Sequence, residues 1–240
     1  MRKIFVAALA VLISGAALAQ ADTTRSVLKQ GNMPRSSDHF VLQLGYTTWQ
    51  GAPDSINTGG LPRTANVYLM LDFPFKTNPH WSVAIGAGIG TDNIYFDKMT
   101  VDIAGNTTNL RFNDRSDTSH YKKYKLATAY AEAPVELRYR FNPDNDRRSV
   151  KVALGVKVGT LLSAHTKGKT LQNKNGDAIN EFKTKEYSKR YFNSTRIAAT
   201  GRIGFGHFSL FGTYQLTPLF KEGQGPVVRP LTFGLTLSGL

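Results

Sequence analysis

The 240-residue chain contains no cysteine, which excludes disulfide bonds and thiolate sites. Acidic residues are also scarce, since 17 Asp and Glu stand against 30 Lys and Arg for a formal net charge of +13. Beyond the N-terminal segment, no stretch approaches the roughly 18 consecutive apolar residues of a transmembrane helix. Any passage of this chain through a membrane must therefore use a closed barrel of strands, because an open sheet would leave backbone groups unpaired in lipid.

The first 21 residues have the layout of a secretory signal peptide. Arg2 and Lys3 form a short basic start, an apolar run continues to Leu18, and small residues such as Ala19 follow. The alternative is an N-terminal membrane anchor, for which the run is short. Export argues against a nucleic-acid partner for this basic chain and favours anionic lipid head groups or an anionic surface polymer.

After a polar leader, predicted to be flexible over residues 22–38, residues 39–240 show apolar residues at every second position. This periodicity predicts β-strands in about eight segments. The segments are HFVLQLGYTTW, ANVYLMLDFPF, WSVAIGAGIGT, LATAYAEAPVELRYRF, SVKVALGVKVGTLL, STRIAATGRIGF, FSLFGTYQL and RPLTFGLTLSGL. The sequence thus predicts an all-β domain with an even number of strands.

Short and long connections alternate between these segments. The short ones are KTNPH, NPDNDRR and little more than Gly206 and His207. The long ones are predicted loops near residues 50–62, 97–122, 166–188 and 217–226. This alternation is typical of an eight-stranded antiparallel up-and-down transmembrane β-barrel, with short periplasmic turns, long external loops and both termini in the periplasm. The last strand would then pair with the first, so that no edge remains.

Large aromatic residues gather where the apolar strand faces meet the short turns. They are Phe73, Phe75, Trp81, Tyr139, Phe141 and Phe205. Such a cluster is expected of an aromatic girdle at a membrane interface. The alternative architecture is a soluble periplasmic eight-stranded barrel, whose apolar face would line a cavity for a lipid or another apolar ligand.

Charged residues of both signs occupy the opposite strand faces. In the membrane barrel they would point into the lumen, and they are Glu132, Glu136, Arg138, Lys157, Arg196 and Arg202. One interpretation is a selective polar channel, and the other is a plug of ion pairs. The plug is favoured because an eight-stranded barrel is just wide enough for its own side chains.

No catalytic, cofactor or metal site is predicted. His207, Ser209 and Glu222 invite comparison with lipid A deacylases embedded in barrels, which use a His, a Ser and an acidic residue. The predicted topology places His207 at a periplasmic turn and Glu222 at the opposite rim, so a triad cannot form. The other histidines are dispersed without metal-ligand spacing. We therefore expect a protein without enzymatic activity.

Two of the long links are rich in basic residues. They contain Lys98, Arg111, Arg115, Lys122, Lys123 and Lys125 in one, and Lys167, Lys169, Lys174, Lys183, Lys185, Lys189 and Arg190 in the other. These side chains either bind lipopolysaccharide phosphates or an acidic envelope partner, or they are ordinary solvated loop residues.

The segment YAEAPVELRYRF, with Tyr130, Glu132, Pro134, Val135 and Leu137, resembles the PorT-like outer-membrane β-barrel family of Bacteroidetes-type bacteria. The resemblance implies the barrel fold and the outer membrane of a Gram-negative cell, and it implies little about activity. We expect a structural, adhesive or assembly-related role. The expected partners are membrane lipids including lipopolysaccharide, the outer-membrane assembly machinery and an unidentified envelope protein.

Overall fold

The computed structural model describes residues 39–142 and 149–239. The predicted signal peptide, the predicted leader and most of the turn NPDNDRR lie outside these residues. Within them, the regular elements are all β-strands. No helix in the described ranges has the length and apolar character needed to cross a membrane.

Eleven strands follow one another along the chain. They are β1 (Phe40–Gln50), β2 (Arg63–Pro74), β3 (Trp81–Phe96), β4 (Met99–Asp102), β5 (Arg111–Asp114), β6 (His120–Arg140), β7 (Val150–Gln172), β8 (Ala178–Tyr187), β9 (Thr195–Phe205), β10 (Phe208–Gln215) and β11 (Arg229–Ser238).

Eight of these strands close into an antiparallel barrel in the order β6-β3-β2-β1-β11-β10-β9-β7, with β7 pairing back onto β6. Each barrel strand pairs with the barrel strands before and after it in the chain. The last strand pairs with the first, so that Leu42 lies opposite Leu237. The predicted eight-stranded up-and-down barrel is thereby confirmed, and closure gives every barrel strand two neighbours.

The barrel wall is apolar outside and polar inside. Along β2, Leu69 and Leu71 are 67% and 61% exposed, whereas Asn66 is buried in the interior. The soluble alternative requires the reverse arrangement. Exposed apolar side chains recur on every barrel strand, among them Leu44, Val67, Ile85, Ile89, Val135, Leu137, Leu154, Val156, Val158, Ile203, Leu210, Phe233 and Leu235. Such a continuous apolar band is expected to face lipid.

The two ends of the barrel differ, and we call them the turn end and the loop end. At the turn end, β9 and β10 are joined by Gly206 and His207 alone, and Phe205 pairs with Phe208. Gly206 has φ +58°, a left-handed conformation that glycine adopts without a steric penalty. The loop end carries the longer connections, as the sequence predicts.

Two predicted loops at the loop end contain strands. The region 97–122 contains the hairpin of β4 and β5, in which Val101 pairs with Phe112. The region 166–188 is mostly the upper part of β7 followed by β8, which pairs with β7 alone. β6 and β7 have 21 and 23 residues, about twice the 9–11 that span a bilayer. Their upper halves therefore stand beyond the barrel wall, and we call them, together with β8, the extension.

An apolar cluster closes the loop end. Barrel strands contribute Trp49 and Phe96, and a later connection contributes Phe220. The Trp49 ring meets those of Phe96 and Phe220 edge-on, with centroids 5.7 and 5.8 Å apart. The other buried members are Ile56, Ile94, Met99, Val101, Ile103, Leu110, Tyr124, Leu126, Tyr130, Leu161, Ala164, Tyr191, Phe192, Leu219 and Val228. The connections at this end thus pack into a small core of their own.

Candidate functional site

The six charged residues assigned to the lumen from the sequence are all buried inside the barrel. Strand alternation places them there, because each lies one position away from an outward apolar neighbour. They are Glu132, Glu136 and Arg138 on β6, Lys157 on β7, and Arg196 and Arg202 on β9. The structure brings them together in two groups along the barrel axis.

The central group is built around Glu132. Lys157 Nζ donates to Glu132 Oε2 at 3.1 Å, and the hydroxyl of Tyr68 donates to the same oxygen. Arg196 Nη1 lies 3.2 Å from Glu132 Oε1 and donates to Asp92 Oδ2 at 2.8 Å. Two carboxylates and two cations thus neutralise one another in the middle of the barrel.

The turn-end group is built around Glu136 and Asp72. Arg202 Nη2 donates to Glu136 Oε2 at 2.6 Å, and Arg138 Nε donates to it at 3.0 Å. Arg138 Nη1 also reaches Asp72 Oδ1 at 3.4 Å, and Arg140 Nη2 reaches Asp72 Oδ2 at 2.9 Å. Arg138 therefore bridges two carboxylates that belong to different strands.

Four members of these groups were missed in the sequence: Tyr68, Asp72, Asp92 and Arg140. A signal was present for Asp72, which lies in phase with the inward residues of β2 and interrupts an otherwise apolar segment. Asp92 follows the inward glycines of β3 with the same period. Pairing could not be read from the sequence, because Arg196 and Asp92 are 104 residues apart.

The inward glycines of β3 make room for larger side chains from the neighbouring strands. A Cβ on Gly86 would lie 2.2 Å from Met70 Sδ, and one on Gly90 would lie 2.7 Å from Glu132 Oε2. Both distances are shorter than van der Waals contact. The period-two glycines of GAGIGT thus serve interior packing.

On the far side of the interior, hydroxyl and amide side chains complete the filling. Thr47 contacts the hydroxyls of Thr64 and Thr232, the latter at 2.8 Å. Thr64 donates to Asp92 Oδ1 at 2.5 Å, which connects this layer to the central group. The hydroxyl layer and the central group therefore form one hydrogen-bonded network over several strands, as buried polar groups require.

The six aromatic residues assigned to a girdle lie on the outer wall at the turn end. Trp81 pairs with Tyr139 across two strands, and their ring centroids are 4.9 Å apart. Tyr139 also packs on Phe141 at 5.0 Å. Phe73, Phe75 and Phe205 are exposed at the same end. Phe208, which is 67% exposed beside Phe205, was missed although it follows the same tight turn.

The residues of the rejected hydrolase triad are not brought together. The His207 ring lies at the turn end, with Nδ1 2.9 Å from the carbonyl oxygen of Ser238. Glu222 is exposed in the connection between β10 and β11, at the loop end. Across residues 39–142 and 149–239, no cluster of three or more His, Cys, Asp or Glu could hold a metal ion.

Comparison with known families agrees with this architecture. Residues 38–222 match the family described as the outer membrane protein beta-barrel domain. The match covers most of the chain, and the protein belongs to this family. A search among curated proteins finds no match.

Proposed function

We propose that this protein is a non-enzymatic, non-conducting outer-membrane barrel with a structural, adhesive or assembly-related role. In this proposal ion pairs plug its lumen, and its basic loop end contacts lipopolysaccharide or an envelope partner. The observation that carries the proposal is the charged interior. Buried ion pairs join strands across the lumen, including the pair of Arg138 with Asp72 and the pair of Arg196 with Asp92. A solute would have to break several charge-assisted hydrogen bonds to pass.

The small cavities inside the barrel support a plugged lumen. One, beside Asp72, Arg138 and Arg202, has a volume of about 20 Å³. Another, between Thr47, Asp92 and the apolar cluster, has about 10 Å³. A cavity needs roughly 10–15 Å³ on this measure to hold one water molecule. Neither is large enough for a hydrated ion.

The orientation of the barrel in the membrane and its subfamily are part of the same proposal. Short turns at one end and long connections at the other support a periplasmic turn end, periplasmic termini and an external loop end. A narrower place among PorT-like barrels is supported by the segment YAEAPVELRYRF. Absence of enzymatic activity is supported by the separation of His207 from Glu222.

A single-channel recording tests the plug. The chain, refolded in detergent and inserted into a planar bilayer, is expected to give no stable conductance steps. Replacing Glu136 and Arg202 by alanine removes one carboxylate and one cation together, and Arg138 keeps its contact with Asp72. We expect steps to appear in this variant. A stable conductance in the unaltered protein would contradict the proposal.

The matched control removes the same number of side chains from the outer wall, with Leu137 and Ile203 replaced by alanine. Those residues lie one position from Glu136 and Arg202 and face outward, so the lumen should stay closed. Migration of unheated against boiled samples on a gel establishes that every variant has folded before its conductance is read.

A further inference from the structure

Six lysines form a regular array on one face of the extension. Lys125 of β6 pairs with Lys167 of β7, which pairs with Lys185 of β8. The second row consists of Lys123, Lys169 and Lys183 in the same register. Directly opposed residues point to the same side of a sheet, and so do residues two apart. The six side chains, which we call the lysine grid, therefore share one face.

Burial and neighbouring cations lower the pKa of Lys125 and of the nearby His165 ring. Burial lowers the pKa of Lys125, and the neighbouring Lys167, Lys185 and Arg63 lower it further. Burial also lowers the pKa of the His165 ring, with added effects from Lys185, Lys125 and Lys167. Like charges directly opposed across strands are destabilising. The fold therefore holds an arrangement that an anion would relieve.

The lysine grid has little internal compensation. Within the described part of the chain, no carboxylate lies in an ion pair with any grid lysine. One carboxylate on the same strand, Glu181, is two residues from Lys183 and borders the second row. Glu186 pairs with Thr166, next to the pair of Lys167 with Lys185. Its side chain therefore points to the opposite face of the sheet. The first row thus faces outward as an uncompensated cluster of cations.

Protection of a free strand edge does not account for the grid. Lysines on edge strands do discourage unwanted pairing, and β8 is such an edge. β6 and β7, however, are paired on both sides through most of this region. Lys125, Lys167 and Lys169 therefore lie where edge protection is unnecessary, whereas Lys123 lies just beyond the last pair of β3 with β6.

The height of the grid matches the head-group region. On β7 the last exposed apolar side chain of the outer wall is Leu162, five residues before Lys167. Five residues rise about 16 Å along a strand, and strand tilt reduces this to about 12 Å along the membrane normal. Lys125 also lies over the Tyr95 ring, and Lys185 over the Tyr187 ring, at 5.8 and 4.5 Å. Tyrosines are typical of the interface between lipid and water.

We infer that the lysine grid is a binding site for a phosphorylated glycolipid of the outer leaflet, with the first row engaging phosphates on the lipid's sugar head group. Ammonium groups bind phosphate as point charges and can converge from adjacent strands. Arg63 extends the first row on the barrel side, since it pairs with Asn93, the acceptor of Lys125 at 2.6 Å. The inference deepens the proposed function, because it assigns the lipopolysaccharide contact of the loop end to one site, and it requires that the loop end face the outer leaflet.

Native mass spectrometry of the full chain in a zwitterionic detergent tests the site, with diphosphoryl lipid A as the probe. The test variant carries K125Q, K167Q and K185Q, and it should fold because the substitutions remove repulsion. We expect its affinity for lipid A to fall on the order of a hundredfold, given the contribution of each lysine near an anionic surface. The unaltered protein should not retain fully dephosphorylated lipid A.

The matched control carries K76Q, K221Q and R229Q, which remove the same charge from outside the grid and outside the two basic links, and it should retain lipid A. Equal losses in both variants, or no loss in either, would overturn the inference. Inositol hexakisphosphate provides the soluble arm. If it displaces lipid A and binds the unaltered chain as tightly, the occupant is a free polyanion and the glycolipid assignment is overturned. The conductance of the test variant is measured separately. It tests the plugged lumen, whereas the affinity for lipid A tests the lysine grid, so that the failure of one hypothesis is distinguished from the failure of the other.

Discussion

At the scale of single residues, each buried charge depends on a partner from another strand. Glu132 of β6 meets Lys157 of β7 and Arg196 of β9, so three strands are needed to neutralise one carboxylate. Removing water from a charge is costly, and only well-placed partners offset that cost. Interior pairs should therefore respond to substitution very differently from surface pairs.

Replacing Arg196 by glutamine should lower the free energy of unfolding by about 3–5 kcal/mol, because Asp92 and Glu132 would then be buried without their shared cation. Urea unfolding followed by the fluorescence of Trp49 and Trp81 measures the change. The exposed pair of Lys174 and Asp117, with N and O 2.6 Å apart, supplies the control. K174Q should cost less than about 1 kcal/mol, and equal costs would contradict the buried network.

Gly90 should be intolerant of even one methyl group. Its Cβ would lie 2.7 Å from Glu132 Oε2 and 3.1 Å from Asn66 Oδ1, and Lys157 and Tyr68 hold that carboxylate in place. G90A should therefore destabilise the barrel by about 1–3 kcal/mol, as overpacking does. G212A is the matched control, since nothing lies within 4 Å of its Cβ. Equal urea midpoints for the two variants would refute this packing role.

At the scale of strands, the sequence was sufficient wherever apolar and polar side chains alternate. The eight barrel strands follow from that period because lipid on one side and a polar lumen on the other impose it. For the upper parts of β6 and β7, and for all of β8, the sequence predicts loops. There lysine occupies the outward positions, so the pattern lacks the contrast by which strands are recognised.

The interior side chains were predictable one by one, but their partners were not. Alternation is enough to place Glu136 and Arg202 on the inward faces. Their contact depends on the register of β6, β7 and β9, in which Glu136 pairs with Gly155 and Gly155 with Thr200. A bulge shifts the register of β6 against β7 between Ala129 and Tyr130. The local sequence does not predict this bulge.

The extension supplies a prediction about pH. Burial and the cations Lys185, Lys125 and Lys167 lower the pKa of His165 below its usual 6.5, so the ring stays neutral until the solution is more acidic. K167Q with K185Q should raise this pKa, because removing positive charge makes protonation easier. Diphosphoryl lipid A should raise it too. NMR titration of the ring protons measures both shifts, and a pKa that falls or stays constant would contradict the arrangement.

At the scale of the whole molecule, polar and apolar surfaces are arranged in opposite ways in two regions. In the barrel the apolar side chains face outward and the charges are enclosed, which suits a wall surrounded by lipid. At the loop end the apolar side chains of Trp49, Phe96 and Phe220 are enclosed, which suits a domain surrounded by water. The change from one arrangement to the other along β6 and β7 marks the level at which the chain leaves the membrane.

Closure of the barrel has a kinetic consequence. The side chains of Gln43 and Thr236, which contact each other where β1 meets β11, are 193 residues apart in the chain. Loop-closure entropy disfavours so distant a contact until the intervening hairpins have formed. We expect β1 and β11 to join last, so that an open sheet with two unpaired edges precedes the finished barrel. The lifetime of that open sheet, rather than the stability of the closed one, would set how much chain is lost to aggregation.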